Sequence, residues 1–146
     1  MKLEAKKILK AIFGYDEFRP LQWEIIESVL KNQDVLALMP TGGGKSLCFQ
    51  IPALLKEGVA IVVSPLIALM KDQVEGLVAN GVSADYINSS QSNSEQEIVF
   101  RALEVGEIKL LYVSPEKLIS DHFLSFLQTL KISLIAVDEA HCISSW

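Results

Sequence analysis

The sequence predicts an α/β fold in which helices flank a parallel β-sheet. From Val35 onwards, short apolar runs alternate with segments of helical periodicity. The runs are apolar throughout rather than alternating, as is typical of strands covered on both faces. Strand–helix alternation favours parallel strands joined by right-handed crossovers. The chain has 146 residues, half of them hydrophobic, which is enough for a substantial core.

Two helices are predicted before this alternation begins. The first runs from Leu3 to Phe13 and ends at Gly14. The second is predicted to begin at Pro20, because proline suits the first turn of a helix. The later strands are predicted at Val35–Leu38, Val59–Val63, Ala84–Asn88, Lys109–Val113 and Ile132–Val137. The later helices are predicted at Gly44–Leu55, Leu66–Ala79, Ser94–Glu104 and Phe123–Leu130, with a short helix from Pro115. Pro52 is predicted to kink or restart the first of these helices. The polar segment Ser89–Gln96 predicts a loop and a helix cap.

Composition limits the classes of function. The net charge of −5 gives no support to a protein that coats nucleic acid, which would be basic, so DNA binding must be argued from motifs. Cys48 and Cys142 do not form a Cys-x-x-Cys pair, which argues against zinc and fits a reducing cytosol. The apolar runs are too short to span a bilayer, and the N-terminus has no apolar signal core. We therefore predict a cytoplasmic protein without a membrane partner.

The strongest motif is MPTGGGKS, Met39–Ser46, between a predicted strand and a predicted helix. The backbone N–H groups of the loop would bind phosphates. These groups belong to Thr41, Gly42, Gly43 and Gly44. Lys45 would contact the β- and γ-phosphates, and Ser46 would hold Mg²⁺. The general pattern has glycine where this chain has Met39. A glycine-rich turn without function is the alternative, which the flanking strand and helix disfavour.

A second motif, DEAH, occupies Asp138–His141 directly after a buried strand. Asp138 can hold Mg²⁺ through its waters, and Glu139 is suited to orient an attacking water. Two adjacent acidic residues more often lie at a helix N-terminus, where they interact favourably with the helix dipole. A phosphate-binding loop about ninety residues upstream favours the catalytic role instead. His141 gains significance only from these neighbours. A nucleophile made of His141 and Cys142 is disfavoured, because adjacent residues rarely face each other, and both cysteines are predicted to be packing residues.

TGGGKS followed by DEAH resembles a superfamily-two helicase, and four further segments narrow the resemblance to the RecQ type. They are FGYDEFRPLQ (Phe13–Gln22), SPLIALMKDQV (Ser64–Val74), YVSPEKL (Tyr112–Leu118) and DEAHCISSW (Asp138–Trp146). The resemblance covers nearly the whole chain, and the motifs appear in order. It departs from the family at Leu21, where the family usually has glycine.

This resemblance implies a RecA-like P-loop NTPase fold. Residues 1–33 would form N-terminal helices with an adenine-recognition motif, and residues 34–146 an incomplete first RecA-like motor domain. Tyr15 is implied to stack on adenine, Arg19 to lie near it, and Gln22 to hydrogen-bond its amino edge. An amide both donates and accepts, so Gln22 can select adenine over guanine. Without the other motifs, this segment would be interpreted as a helix cap with a surface glutamine.

The same resemblance implies that several residues contact the DNA backbone from the strand-end face of the sheet. These are Ser64, Pro65, Lys71 and Ser114, and Trp146 would begin the loop that couples single-stranded DNA to hydrolysis. The implied catalytic residues are Lys45, Asp138, Glu139 and His141, with ATP and Mg²⁺ as cofactors and both Ser46 and Asp138 at the metal.

As a whole protein, the family implies a 3′–5′ DNA helicase that couples ATP hydrolysis to duplex unwinding in recombination and repair. Its partners would be single-stranded DNA, duplex junctions and a second RecA-like domain of the same parent chain, with zinc only in a later region. The segment by itself is expected to be nearly inactive. Two alternatives stay open: another superfamily-two translocase acting on DNA or RNA, and a non-catalytic nucleotide-binding fragment.

In folds of this kind, the strand after DEAH lies between the P-loop strand and the DEAH strand. Val35–Leu38 and Leu134–Val137 are therefore predicted not to be hydrogen-bonded neighbours. Unpaired groups along two apolar strands are costly, so the isolated segment is expected to be poorly soluble or only partly folded.

Overall fold

The structure of the chain is a computed structural model, which describes residues 1–32 and 45–137. The predicted strand Val35–Leu38 lies outside these residues. The chain divides into two compact units, Met1–Lys56 and Glu57–Trp146. The predicted division separates the adenine-recognition region, residues 1–33, from the motor domain, residues 34–146. It stays a prediction.

Within residues 1–32 and 45–56, the first unit contains three helices that share one apolar core. They are α1 (Lys2–Phe13), α2 (Gln22–Leu30) and α3 (Leu47–Leu55). The buried members of the core are Ala5, Leu9, Ile26, Leu47 and Ile51. As predicted, α1 ends at Gly14, whose φ of 78° lies in the left-handed region where glycine carries no Cβ penalty.

Two predictions for the first unit were wrong in detail. Helix α2 begins at Gln22 rather than at Pro20, because Leu21 adopts a left-handed conformation, with φ 71° and ψ −15°, at the N-cap. Proline was expected to kink or restart α3; the restart was wrong, because Pro52 lies inside the continuous helix α3, and the kink stays a prediction. Only one N–H is missing at Pro52, and its own carbonyl still accepts from the Lys56 N–H at 2.9 Å.

In its described residues, 57–137, the second unit is a four-stranded parallel sheet with helices between its strands, which confirms the predicted fold class. Its elements in chain order are β1 (Val59–Val63), α4 (Ile67–Ala79), β2 (Ala84–Ile87), α5 (Asn93–Glu104), β3 (Leu110–Val113), α6 (Pro115–Leu118), α7 (Asp121–Leu127) and β4 (Ile132–Val137). The strand order across the sheet is β2–β3–β1–β4. The loop and cap predicted at Ser89–Gln96 are confirmed, since Ser92 and Glu95 form a capping box at the start of α5.

Strand β1 is central in the described sheet and buried along its whole length. Ile61 and Val63 belong to an apolar cluster that also contains Phe100 of α5 and Phe123 of α7. Tyr112 of the neighbouring β3 is fully buried, and its hydroxyl donates to Gln73 Oε1 of α4 at 2.7 Å. Burial of consecutive residues confirms that β1 and β3 are covered on both faces, whereas β2 and β4 are only partly buried.

The two edges of this sheet differ in chemistry. At the carboxyl ends of β1, β2 and β3, the chain continues into the buried polar residues Ser64, Asn88 and Ser114. At the amino end of β1, Gly58 has φ 98°, and a Cβ there would lie 2.6 Å from the Lys131 carbonyl oxygen.

Among the described strands, β4 pairs only with β1, from Val59↔Ile132 to Val63↔Val137. Ile135 and Val137 are exposed. Because Val35–Leu38 lies outside the described residues, its predicted separation from β4 stays a prediction.

Candidate nucleotide and nucleic-acid sites

Residues Tyr15–Gln22, here called the base loop, connect α1 to α2. Tyr15 is half exposed at the start of this loop, directly after the left-handed Gly14. Gln22 begins α2 with only 1% of its surface exposed, so it is not the surface glutamine of the alternative interpretation. Its Oε1 accepts a hydrogen bond from the Arg19 N–H at 2.7 Å. The loop backbone therefore orients the amide that is predicted to recognise the base.

Leu21 has a backbone conformation that favours glycine, the residue that the family resemblance implies at this position. Its φ of 71° is rare for a residue with a branched side chain, and such a conformation costs about 1–2 kcal/mol. The side chain is exposed, so packing does not offset that cost. The chain keeps the turn because hydrogen bonds form on both sides of it: Gln22 N–H donates to Arg19 O, and Ile25 N–H donates to Leu21 O, each at 3.1 Å.

Lys45 and Ser46 lie immediately before α3, where the motif predicts the phosphate and metal contacts. The Lys45 carbonyl accepts from the Cys48 N–H at 3.0 Å, and the Ser46 carbonyl accepts from the Gln50 N–H at 2.9 Å. In the part of the chain that the structure describes, the Ser46 side chain makes no capping bond to α3. A hydroxyl at this place is a suitable Mg²⁺ ligand, as the motif requires.

These two residues belong to the same compact unit as the base loop. Ile26, one turn into α2, and Leu47, the first residue of α3, are members of one buried cluster. Helices α2 and α3 therefore contribute to the same apolar core. The other predicted nucleotide residues, Thr41–Gly44 and Asp138, Glu139 and His141, lie outside the described residues.

The structure brings together two of the residues predicted to contact DNA. Val63 and Val113 are register partners, so Ser64 and Ser114 follow adjacent strands at one edge, and the Ser64 N–H donates to Val113 O at 3.0 Å. Both hydroxyls also serve the local fold: Ser64 Oγ accepts from Leu66 N–H at 3.4 Å, and Ser114 Oγ accepts from Lys117 N–H at 3.3 Å.

The remaining predicted DNA contacts are Pro65, Lys71 and Trp146. Pro65 follows Ser64 and is partly buried, whereas Lys71 is exposed on α4. Trp146 lies outside the described residues. The DNA contacts therefore stay predictions.

Sequence analysis missed a polar network beside these serines. Asn88 follows β2 and is buried, and its carbonyl accepts from Gln96 Nε2 at 3.1 Å. Gln96 Oε1 in turn accepts from Lys117 Nζ at 3.0 Å, which holds that ammonium 5.6 Å from the centre of the Phe100 ring. The polar run after β2 was the available signal, but it predicted only a loop and a cap.

Cys48 is the packing residue that the sequence predicts. Its side chain is buried in α3, and burial raises the pKa of the thiol from 9.0 to about 11. A thiol of this kind is mostly protonated near neutral pH, whereas the thiolate is the reactive form.

Comparison with known proteins identifies the family of this chain. Residues 19–146 match the family described as DEAD/DEAH box helicase. The chain therefore belongs to the DEAD/DEAH box helicase family.

Relatives confirm the more specific resemblance to RecQ-type helicases. The chain is 53% identical over 146 residues to the ATP-dependent DNA helicase RecQ of Pasteurella multocida, covering 100% of this chain and 23% of that protein. It is 51% identical over 143 residues to the ATP-dependent DNA helicase RecQ of Bacillus subtilis, covering 97% and 24%. A protein of Acanthamoeba polyphaga mimivirus, named putative ATP-dependent RNA helicase R290, is 46% identical over 145 residues, covering 97% and 26%. The chain thus spans about a quarter of the length of these relatives.

A solved structure supports the same fold. The DUF1998 helicase MrfA, crystallised bound to DNA, aligns with a TM-score of 0.65 over 81% of this chain and 18% of its own, at 22% identity. At that identity the likeness establishes a shared helicase fold, consistent with the RecA-like architecture that the motifs imply. No helix within residues 1–32 and 45–137 is long and apolar enough to cross a membrane. In those same ranges, no three His, Cys, Asp or Glu side chains converge as metal ligands.

Proposed function

We propose that this chain is the ATP-binding part of a DNA helicase that couples ATP hydrolysis to the unwinding of duplex DNA. One observation carries the proposal: a buried, oriented Gln22 and the Lys45–Ser46 pair occur in one compact unit. That unit belongs to a chain about half identical to proteins named ATP-dependent DNA helicase RecQ. Because the chain spans about a quarter of those proteins, activity belongs to the whole protein.

On this proposal, ATP binds with its base at the base loop and its phosphates at the start of α3. Tyr15 stacks on adenine, Arg19 lies near it, and the Gln22 amide recognises its amino edge. The N–H groups of Thr41–Gly44 and the Lys45 ammonium bind the phosphates.

Ser46 and Asp138 would hold Mg²⁺, which when bound neutralises charge that develops on the phosphates. Glu139 orients the attacking water and accepts its proton. His141, in the same motif, is proposed as a further catalytic residue.

DNA would bind along the carboxyl edge of the sheet, at Ser64, Pro65, Ser114, Lys71 and Trp146. Backbone N–H groups and lysine suit phosphate contacts, so this edge can hold a strand although the chain carries a net charge of −5. We propose single-stranded DNA and duplex junctions as substrates, 3′–5′ movement, a role in recombination and repair, a cytoplasmic location, and a second RecA-like domain that completes the ATPase cleft.

The test of catalysis is DNA-stimulated ATP hydrolysis by the whole protein. Lys45→Ala and Glu139→Gln are each expected to abolish it. Glu139→Gln should still bind ATP, because it keeps the size of the side chain and removes only the base. Normal hydrolysis by Glu139→Gln would refute the role of Glu139. Stimulation by RNA but not DNA would favour the alternative translocase, for which the relative named as a putative RNA helicase is the motivating observation.

A further inference from the structure

We propose that Lys6 and Lys10 of α1 are positioning residues for adenine recognition, because they hold the base loop by two ion pairs. The pairs are Lys6 Nζ–Glu17 Oε2 at 3.0 Å and Lys10 Nζ–Asp16 Oδ1 at 3.6 Å, and we call them the lysine clasp. This inference rests on the proposed function, since it assigns α1 a role at the same nucleotide site.

The clasp follows from helix geometry and one reversal of the chain. Lys6 and Lys10 are four residues apart, so their side chains lie on one face of α1. At Gly14 the chain turns back, and the N–H groups of Gly14 and Tyr15 return to the carbonyls of Lys10 and Leu9 at 3.1 and 3.2 Å. The loop then runs antiparallel to α1, so the nearer lysine meets Asp16 and the farther one meets Glu17.

The other end of the base loop is also fixed. The Phe18 and Trp23 rings lie 5.8 Å apart, and Lys2 Nζ lies 5.6 Å from the centre of the Trp23 ring. The Arg19 N–H then orients Gln22 through its Oε1. Tyr15 is held by its own N–H bond to Leu9 O, whereas the clasp acts on the next two residues, Asp16 and Glu17, which lead to Arg19 and Gln22.

The clasp lies outside the part of the chain that matches the family. The family match begins at Arg19, whereas α1, Tyr15, Asp16 and Glu17 precede it. Helix α1 therefore adds a support for the base loop to the region that DEAD/DEAH box helicases share.

The effect of the clasp must be modest, because its partners are exposed. Lys6 is the least exposed member, at 36%, and its partner Glu17 is 76% exposed. Exposed ion pairs of this kind are weak and screened by salt, so losing one should reduce affinity by about two- to fivefold at low ionic strength. The contribution should shrink as salt is added.

The chain offers a matched control for a charge reversal. Lys7 is exposed on the same helix and has no ion-pair partner within residues 1–32 and 45–137. Lys6→Glu and Lys7→Glu therefore change the net charge equally, but only Lys6→Glu breaks the clasp. Their affinities for ADP and GDP, each with Mg²⁺, would be measured in the whole protein at low and high salt.

We expect Lys6→Glu to weaken ADP binding by about threefold at low salt, to leave GDP binding unchanged, and to be rescued by adding Glu17→Lys. Lys7→Glu should change neither affinity. In a Gln22→Ala background, Lys6→Glu should cause no further loss, because it acts through the loop that orients Gln22. A purely structural role of Lys6 would persist in that background and would affect both nucleotides.

Equal effects of Lys6→Glu and Lys7→Glu, equal losses for ADP and GDP, or no rescue by Glu17→Lys would overturn the clasp. If Gln22→Ala changes the ADP-to-GDP ratio but Lys6→Glu does not, the clasp alone is overturned. If Gln22→Ala leaves that ratio unchanged, base recognition by this loop is overturned and the clasp with it.

Discussion

Gly58→Ala is expected to destabilise the sheet because Gly58 combines a positive φ with a close approach to the neighbouring backbone. Its φ is 98°, and an added Cβ would lie 2.6 Å from the Lys131 carbonyl oxygen and 3.1 Å from its carbon. Neither atom belongs to a side chain that can turn away. The same Lys131 oxygen accepts from the Val59 N–H at 2.9 Å, so relieving the contact disturbs the start of the β1–β4 pair.

The expected loss can be worked out from these contacts. A left-handed backbone costs a residue with a Cβ about 1–2 kcal/mol. Weakening the Val59–Lys131 hydrogen bond adds about 1 kcal/mol. With residual strain from the contact, Gly58→Ala should lower the free energy of unfolding by about 3 kcal/mol.

Gly81 is the matched control for this substitution. Its φ is 85°, but an added Cβ would meet nothing within 4 Å, so Gly81→Ala should cost only the backbone strain, about 1 kcal/mol. The free energy of unfolding of both variants would be measured by urea denaturation of a soluble protein that contains this chain. Their m-values would also be compared. Equal losses for the two variants would refute the argument from close approach, and a loss below about 1 kcal/mol at Gly58 would refute both parts.

Two further predictions concern Leu21 and Cys48. Leu21→Gly should raise the free energy of unfolding by about 0.5–1 kcal/mol, because relief of the left-handed strain exceeds the entropic cost of glycine. Leu21→Ala keeps the strain and should give no gain. Urea denaturation would check both variants, and an equal gain from alanine would contradict the explanation. Burial raises the pKa of the Cys48 thiol from 9.0 to about 11, so the folded state holds its proton longer and stability should fall as pH rises through that interval. Accordingly, iodoacetamide at pH 8 should label Cys48 only after denaturation, as mapped by mass spectrometry, and rapid labelling of the native protein would be the contrary result.

Apolar runs predicted the strands of the sheet well, and its two inner strands, β1 and β3, are buried along their whole length. The strands Val59–Val63 and Ile132–Val137 have the bounds that their apolar runs predict. Helix boundaries depend on single residues and were less accurate. Helix α7 begins at Asp121, earlier than predicted, because the Ser120 hydroxyl accepts from the Phe123 N–H at the cap.

The candidate site could be predicted in its residue types but not in its arrangement. The motif identified Gln22, yet nothing in the sequence indicates that it is buried or that the Arg19 N–H holds its Oε1. Likewise, the pairing of Lys6 with Glu17 depends on the chain reversing at Gly14, which relates residues eleven positions apart. Such contacts arise from tertiary geometry, which periodicity does not encode.

The two edges of the parallel sheet allow probes to be placed away from the site. Ser64, Asn88 and Ser114 end three strands at the edge where binding is proposed, whereas exposed Ser83 and Glu107 lie in the connections that enter β2 and β3 at the opposite edge. A strand of four residues separates the two edges by about 13 Å. A fluorophore attached through cysteine at Ser83 or Glu107 could therefore report on movements of this unit during the proposed ATP turnover, away from the edge where nucleic acid is proposed to bind.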